Sequence, residues 1–563
     1  MNPEIAGVVL MFFLTLVLAI PFGKYIAKVF SGERSLLDFF APLENFIFRI
    51  CGIDAKKEMN WKQSMVAMLT INLVWFLYAM LLLLNQGWLP MNPDGNPSMT
   101  PDLAFNTAIS FLVNCNLQHY SGETGVTYLS QLFCLMFLQF VSAATGLAAA
   151  AVVFNALKER TTDKLGNFYN YFMKSLTRVL LPLSVVVAIL FMLNGMPMTF
   201  EGKQTITTLQ GDTVQVSTGP VAAFVPIKHL GTNGGGWFGT NSAHPFENPN
   251  YSTNIIEMVA QLLIPLAMLF ALGFYLRRRK LAWMIFGVMT AGFLCLTIPN
   301  MIMEQHGNPE IAKMGVDMSS GAMEGKEVRF GAPASAYWSI LTTVISTGSV
   351  NSFHDSFMPL SGMNQMLAMM VNAFYGGCGV GILNFYIFII IAVFISGLMV
   401  GRTPEFLGKK IEAREMKIAV IVTLVSAILI KGGTAFASYL YAGDPSLPWL
   451  NNPGFHGFSE MLYEYTSANA NNGSGFEGLG DNTPWWNIST GIVLIIARFI
   501  PIIGPVAIAG ILANKKYIPE SAGTLKTDTL TFGVMIFAVI VIVTALSFFP
   551  ALVLGPIAEY FSM

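Results

Sequence analysis

Charge is scarce in this sequence. Asp, Glu, Lys and Arg make up 11% of its 563 residues, against about 25% in soluble globular domains. With 54% hydrophobic residues and a mean hydropathy of +0.59, the shortage points to a chain embedded in lipid. A net charge of −1 leaves no bulk positive field to gather nucleic acid. Paired cysteines are missing as well. Cys51, Cys115, Cys134, Cys295 and Cys378 are scattered and form no C-x-x-C, which speaks against a disulfide framework or a thiolate metal centre. Each reads as a small buried hydrophobe. Histidine is rare, six in all. His119, His244 and His354 lie near Glu123, Glu247 and Asp355 in the chain, but the spacings match no H-E-x-x-H pattern. They read as polar residues that hydrogen-bond loops rather than as the metal ligands of an enzyme. There is no G-x-x-x-x-G-K-[ST] loop and no D-K-T-G phosphorylation sequence, so this chain has no equipment of its own for hydrolysing ATP.

What the sequence has in plenty is long apolar runs. A bilayer core takes about 20 apolar residues per helix, and ten stretches qualify: near 5–23, 64–86, 128–156, 177–196, 254–276, 281–303, 382–400, 416–440, 487–513 and 527–550. The first follows Glu4 and precedes Lys24 and Lys28. That is the reverse of a signal peptide's charge order, so it is expected to stay as a span with the N-terminus outside. Lys and Arg then fall seven in 24–62, five in 158–178, four in 277–280, five in 402–417 and three in 515–526. These are the loops that alternate to the inside. The outer loops hold only Lys203, Lys228, Lys313, Lys326 and Arg329, while Lys431 and Arg498 lie within spans. Both termini are therefore expected outside. A further apolar stretch, 365–378, runs into "YGGCGVG" before the seventh span. Glycines at that depth suggest one broken helix, tolerated only where protein or water surrounds the backbone.

The outer connections share a pattern. Residues 104–123, 220–249, 336–357 and 457–478 each begin with an apolar segment too short to span and end in glycine, amide and hydroxyl residues. The chain reads as four span–dip–span repeats, 64–157, 173–276, 281–400 and 416–513. They follow a leading helix and loop, 1–63, and precede a last helix, 527–563. A dehydrated cation needs oxygen ligands in place of water, and converging backbone carbonyls supply them without fixed charge. Glycine allows the dihedrals this requires. The candidate segments are "NCNLQ" (114–118), "TNGGG" (232–236), "STGSV" (346–350) and "NNGSG" (471–475), all free of Lys and Arg.

Several long strings carry a resemblance: "NTAISFLVNCNLQHYSGET", "LGTNGGGWFGTNSAHPFENP", "AMEGKEVRFG" (322–331), "GRTPEFLGKKIEAREMK" (401–417) and "NPGFHGFSEMLYEYTSANANNGS" (452–474). In these the chain resembles the potassium-transporting A subunits of bacterial Kdp ATPases, from "EMNWKQ" (58–63) to "ALVLGPIAEY" (551–560). The resemblance implies an all-α polytopic protein with the fold of the superfamily of K+ transporters. It implies K+ as the transported ion, with no organic cofactor, in the bacterial inner membrane. Its implied partners are a P-type ATPase subunit, a third essential subunit and a small accessory one. Such a subunit binds external K+ at a filter and passes it through an intramembrane tunnel to the ATPase subunit. By resemblance the filter positions are Asn114, Cys115, Asn116, Gln118, Thr232, Asn233, Gly234, Ser346, Thr347, Gly348, Asn472 and Gly473. Gln118 is tied to affinity and Gly234 to selectivity. The family often has Thr and Trp where this chain has Cys115 and Leu117. Gly376, Gly377 and Gly379 are expected beneath the filter, where they would block straight passage, and Arg498 is expected as an electrostatic barrier there. The competing expectation is a stand-alone potassium channel or symporter of the Trk/Ktr kind, working without an ATPase.

Overall fold

The computed structural model describes residues 3–401, 403–519 and 526–563. Arg402, one of the five basic residues in 402–417, and residues 520–525 lie outside the described residues. Among the described residues ten helices are long and apolar enough to cross a membrane, one for each expected stretch. Several start at a side-chain cap. Asn60 Oδ1 accepts the Gln63 N–H at 2.9 Å while Gln63 Oε1 accepts the Asn60 N–H at 3.0 Å, and this box opens the second span, Trp61–Leu83. Asn250 with Thr253, and Glu412 with Glu415, open the fifth and eighth in the same way. Each box satisfies donors that a helix start leaves orphaned, worth about 1 kcal/mol.

Two spans run further towards the basic loops than their apolar runs suggested. The first continues to Ser31, so Lys24 and Lys28 are helical rather than in a loop. The fourth starts at Phe168 and contains Arg178. Burying Arg178 is possible because its guanidinium meets Glu44 at 2.6 Å on the short inner helix Ala41–Ile50, as well as Asp38 at 2.5 Å. Lys431 is exposed near the middle of Ala413–Gly443, and nothing in the structure assigns it a role. Of the cysteines, Cys51 and Cys295 are exposed, against the expectation that all five are buried. Cys51 ends the inner helix, and Cys295 lies on an exposed face of the sixth span.

The third and fifth spans are mostly buried and form the middle of the bundle, whereas the first, second and eighth are mostly uncovered by protein and lie at its rim. Small residues explain the third. Its run "SAATGLAAAAVV" (142–153) is wholly buried, and small side chains let backbones approach closely where lipid gives no hydrophobic drive. Between the spans, four shorter helices enter the bundle: Pro101–Leu112, Val221–Leu230, Gly331–Val344 and Phe455–Ala470. A small antiparallel hairpin, Gln204–Thr207 with Thr213–Val216, lies exposed beside the second of these connections.

Candidate functional site

The four short helices end alike. After each, one residue takes a left-handed conformation, the next does not, and the third is left-handed again: Asn114 (φ 62°) and Asn116 (58°), Thr232 (48°) and Gly234 (84°), Ser346 (49°) and Gly348 (85°), Asn471 (51°) and Gly473 (104°). The middle residue's N–H folds back onto the carbonyl five residues earlier. Cys115 donates to Ser110 at 3.0 Å, Asn233 to Lys228 at 2.9 Å, Thr347 to Thr342 at 2.9 Å and Asn472 to Ser467 at 2.9 Å. Four stretches with different side chains thus share one backbone trace. Single left-handed residues other than glycine are uncommon and costly, so their recurrence at four matched places marks a built feature.

These stretches close into a ring. A β-carbon on Gly234 would overlap the Thr347 carbonyl oxygen, one on Gly348 that of Asn472, and one on Gly473 that of Cys115. Asn116, the counterpart of those glycines in the first stretch, meets the second, its Cβ falling 2.7 Å from where a β-carbon on Gly235 would stand. The order around the ring follows the order in the chain. Cys115, Asn233, Thr347 and Asn472 are fully buried. Among the described residues, nothing donates a hydrogen bond to their four carbonyl oxygens. Buried carbonyls are almost always paired with protein or water, so four orphans in symmetric positions are an arrangement that suits a cation.

Side chains brace the ring from behind. Asn114 Nδ2 donates to the Gly231 and Thr232 carbonyls at 3.1 and 2.8 Å. Ser142, in the middle of the third span, lies 3.0 Å from Asn114 Oδ1 and 2.9 Å from Asn233 Oδ1. The Asn233 side chain is therefore turned back towards that span. Asn241 Nδ2 donates to the Gly234 carbonyl at 2.7 Å, and its Oδ1 accepts from Val350 N at 3.4 Å, which links the second and third stretches. Gln118 is held from both ends by Gly236, accepting its N–H at 2.7 Å and donating to its carbonyl at 3.1 Å. Leu117 is packed with Tyr465 and Trp486 in an apolar cluster beside the first and fourth stretches.

On that same side His119 is buried, with Nδ1 2.7 Å from Asn487 Oδ1 and Nε2 3.1 Å from Glu464 Oε1. Burial alone would lower its pKa, but Asp481 and Glu464 outweigh that and push it from 6.5 up to about 9. The folded value lies above the unfolded one. The stabilisation is therefore complete below about pH 6.5 and disappears as pH rises through about 9. The melting temperature of the wild-type protein should fall across this window, and that of His119→Asn should fall less steeply over the same range. Parallel curves would refute the assignment.

Beneath the ring the helix Pro359–Val371 stops at Asn372, itself left-handed, and the chain loops through 372–379 before Val380–Val400 begins. This loop touches the second and third stretches. Cys378 N donates to Thr232 Oγ1 at 2.9 Å, and a β-carbon on Gly377 would lie 3.6 Å from the Ile345 carbonyl. Gly376 and Gly379 have φ of 61° and 76°, and Gly379 packs on the Gly146 carbonyl with no room for a side chain. Beside the loop a cavity runs from Asn114, Ser346 and Asn471 past Asn384 to Thr423 and Thr544, between the seventh, eighth and last spans. Arg498 reaches its wall, 4% exposed, and donates to the Ser142 carbonyl at 3.1 Å. No carboxylate pairs with it among the described residues, and no Asp or Glu lines the cavity.

Comparison with known proteins decides the family. The model of the family described as "Potassium-transporting ATPase A subunit" matches residues 9–561. The chain belongs to that family. It is 69% identical to a Flavobacterium psychrophilum protein and 61% to one from Bacteroides thetaiotaomicron, with both chains covered in full each time. It is 47% identical to a Geobacillus kaustophilus protein over 98% of each chain. All three are named "Potassium-transporting ATPase potassium-binding subunit". The crystal structure of the potassium transporter TrkH from Vibrio parahaemolyticus shares the fold, with a TM-score of 0.51 at 15% identity over 89% of this chain and 98% of that one.

The structure brings the expected residues of the four stretches to the ring, except Gln118, which braces Gly236 behind it, and brings Gly376, Gly377 and Gly379 to the loop below it. One counterpart was missed. Asn471, rather than Asn472, matches Asn114, Thr232 and Ser346 in conformation and position. The alignment of "NNG" with "NCN", "TNG" and "STG" carried that signal in the sequence.

Proposed function

We propose that this chain is the potassium-binding subunit of an ATP-driven uptake pump in the bacterial cell membrane, with both termini outside. The four orphan carbonyls of Cys115, Asn233, Thr347 and Asn472 carry the reading. In this ring they replace the water of a K+ ion, and the neighbouring carbonyls of Asn114, Asn116, Ser346, Gly348, Asn471 and Gly473 extend the ladder. The short helices aim their partly negative C-terminal ends at the same place. Asn114, Asn233 and Gln118 serve by fixing the backbone, and Gly234 by permitting the close approach to Thr347.

Below the filter, loop 372–379 obstructs the straight path and the cavity offers a sideways one. Its amides and hydroxyls can coordinate a cation in passing, while the unpaired guanidinium of Arg498 repels one from the inner side. The ion leaves between the seventh, eighth and last spans to a P-type ATPase subunit, which supplies the hydrolysis that this chain has no sequence for. A third subunit and a small accessory one complete the complex. Arg498→Gln in liposome-reconstituted complex should raise ATP-independent 86Rb+ or K+ flux at least tenfold. Unchanged passive flux would remove the barrier role.

The fold it shares with TrkH favours a second reading, a conductance that works alone. Potassium-stimulated ATP hydrolysis by whatever co-purifies with the tagged chain separates the two. The pump reading expects stoichiometric ATPase subunit and stimulation by K+. An isolated chain that conducts K+ at full rate without ATP would overturn it.

A further inference from the structure

Away from the ring, three side chains of metal-binding type meet at the outer edge. Asp355 comes from the turn His354–Ser356 after the third stretch, and His456 and Glu460 lie one helical turn apart on Phe455–Ala470. One ligand atom from each lies within 4.8 Å of the others. His456 Nε2 is 2.8 Å from Asp355 Oδ1, and its Nδ1 is 2.7 Å from Glu559 Oε1 at the end of the chain. Glu460 is fully buried. Its Oε1 accepts from Asn452 Nδ2 at 3.1 Å, and its Oε2 has no partner. Gly478 lets the two acids approach, since a β-carbon there would crowd Asp355 Oδ2 at 2.7 Å and overlap Glu460 Oε1. Asp355 is fixed in turn by its backbone N–H, which donates to Glu477 Oε2 at 3.0 Å.

An imidazolium at His456 would answer Asp355 and Glu559 but leave the buried Glu460 Oε2 with nothing. A metal ion would answer all three groups. Neutral imidazole with two carboxylates is a donor set suited to first-row divalent ions. A carboxylate holding the far ring N–H, as Glu559 does at Nδ1, is the usual outer partner of a metal-bound histidine.

We propose that Asp355, His456 and Glu460 form a divalent transition-metal site of zinc-like preference, with Glu559 as its positioning residue. Occupied, it ties the outer end of the third stretch to the fourth short helix, while Glu559 links the C-terminal helix to it.

The test uses the full chain with its co-purifying subunits, stripped by chelator and titrated with Zn2+ in a calorimeter. One Zn2+ per chain is expected, with absorption spectroscopy giving an N/O shell at about 2.0–2.2 Å that includes one imidazole. Glu460→Gln and His456→Gln should weaken binding at least 100-fold, and Glu559→Gln about 10- to 100-fold. Glu460→Gln is nearly isosteric and keeps the Asn452 contact. Its metal-free melting temperature, expected near that of wild type, distinguishes a lost site from a lost fold. Zn2+ should raise the melting temperature of wild type and not of Glu460→Gln. Absence of saturable binding in wild type, or stoichiometric binding that survives both ligand variants, would overturn the proposal. No step uses potassium or ATP, so either result leaves the pump reading as it stands.

Discussion

Gly234→Ala is expected to lower the apparent affinity for K+ at least tenfold and to bring the responses to K+, Rb+ and NH4+ together. Two effects act at this one position. The backbone sits at φ 84°, where an L-residue costs about 1–2 kcal/mol relative to glycine. The added methyl would also overlap the carbonyl oxygen of Thr347, one of the four orphans, with Ser349 N only 2.6 Å away. Neither neighbour is a flexible side chain that can swing aside. The Thr347 carbonyl must move, and a shift of one ligand out of four-fold register alters the cavity that distinguishes K+ from ions of similar charge. Because the clash lies inside a ring braced by Asn241 and Ser142, the distortion should reach selectivity before it reaches expression. Titrating ATP hydrolysis of the complex with each ion checks this. A variant that expresses normally and keeps the wild-type ion preference would show that Gly234 does not shape the filter.

How much of this could be read beforehand depends on the kind of signal. The spans were legible because apolar length and the placement of Lys and Arg are independent constraints that agree. The dips were legible because an apolar segment too short to span, followed by glycine and amides, has few other uses. Their exact register was harder. "NNGSG" offers two asparagines, and only its alignment with "TNG" and "STG" gives the register that the backbone takes, Asn471 in the first left-handed position and Asn472 in the middle. Arg178 was counted with the basic loop 158–178 at the edge of the apolar run 177–196, and the pairing with Glu44 and Asp38 that makes its burial tolerable joins residues about 140 apart in the chain. The Asp355–His456–Glu460 cluster was invisible for the same reason. Residues 355 and 456 come from different dips, and no spacing rule links them.

Lys228 presents the opposite problem, a cation placed directly behind the proposed cation site, and its replacement should give the largest stability loss. Its carbonyl accepts the N–H groups of both Asn233 and Gly234, so its backbone shapes the second stretch. Its ammonium is fully buried and donates to Glu247 Oε2 at 2.6 Å and Ser242 Oγ at 2.7 Å, while Glu247 Oε1 accepts from Phe238 N at 2.8 Å. The pair therefore staples the end of the short helix to the loop that follows the second stretch, and it does so without leaving net positive charge beside the ring. Removing one partner of a buried pair typically costs about 3–5 kcal/mol, because the other is left uncompensated. Lys228→Met and Glu247→Gln should each lower the melting temperature sharply. They should differ in function. Glu247→Gln leaves the ammonium unanswered behind the filter and should also raise the K+ concentration for half-maximal ATP hydrolysis, whereas Lys228→Met should do so less. The double variant replaces both charges together and should recover most of the lost stability, since a buried pair exchanged for neutral groups is often close to neutral overall. A double-mutant cycle reads the coupling directly. Additive losses would mean that the staple is not a pair, and equal K+ dependence in the two single variants would mean that its charge is not felt at the ring.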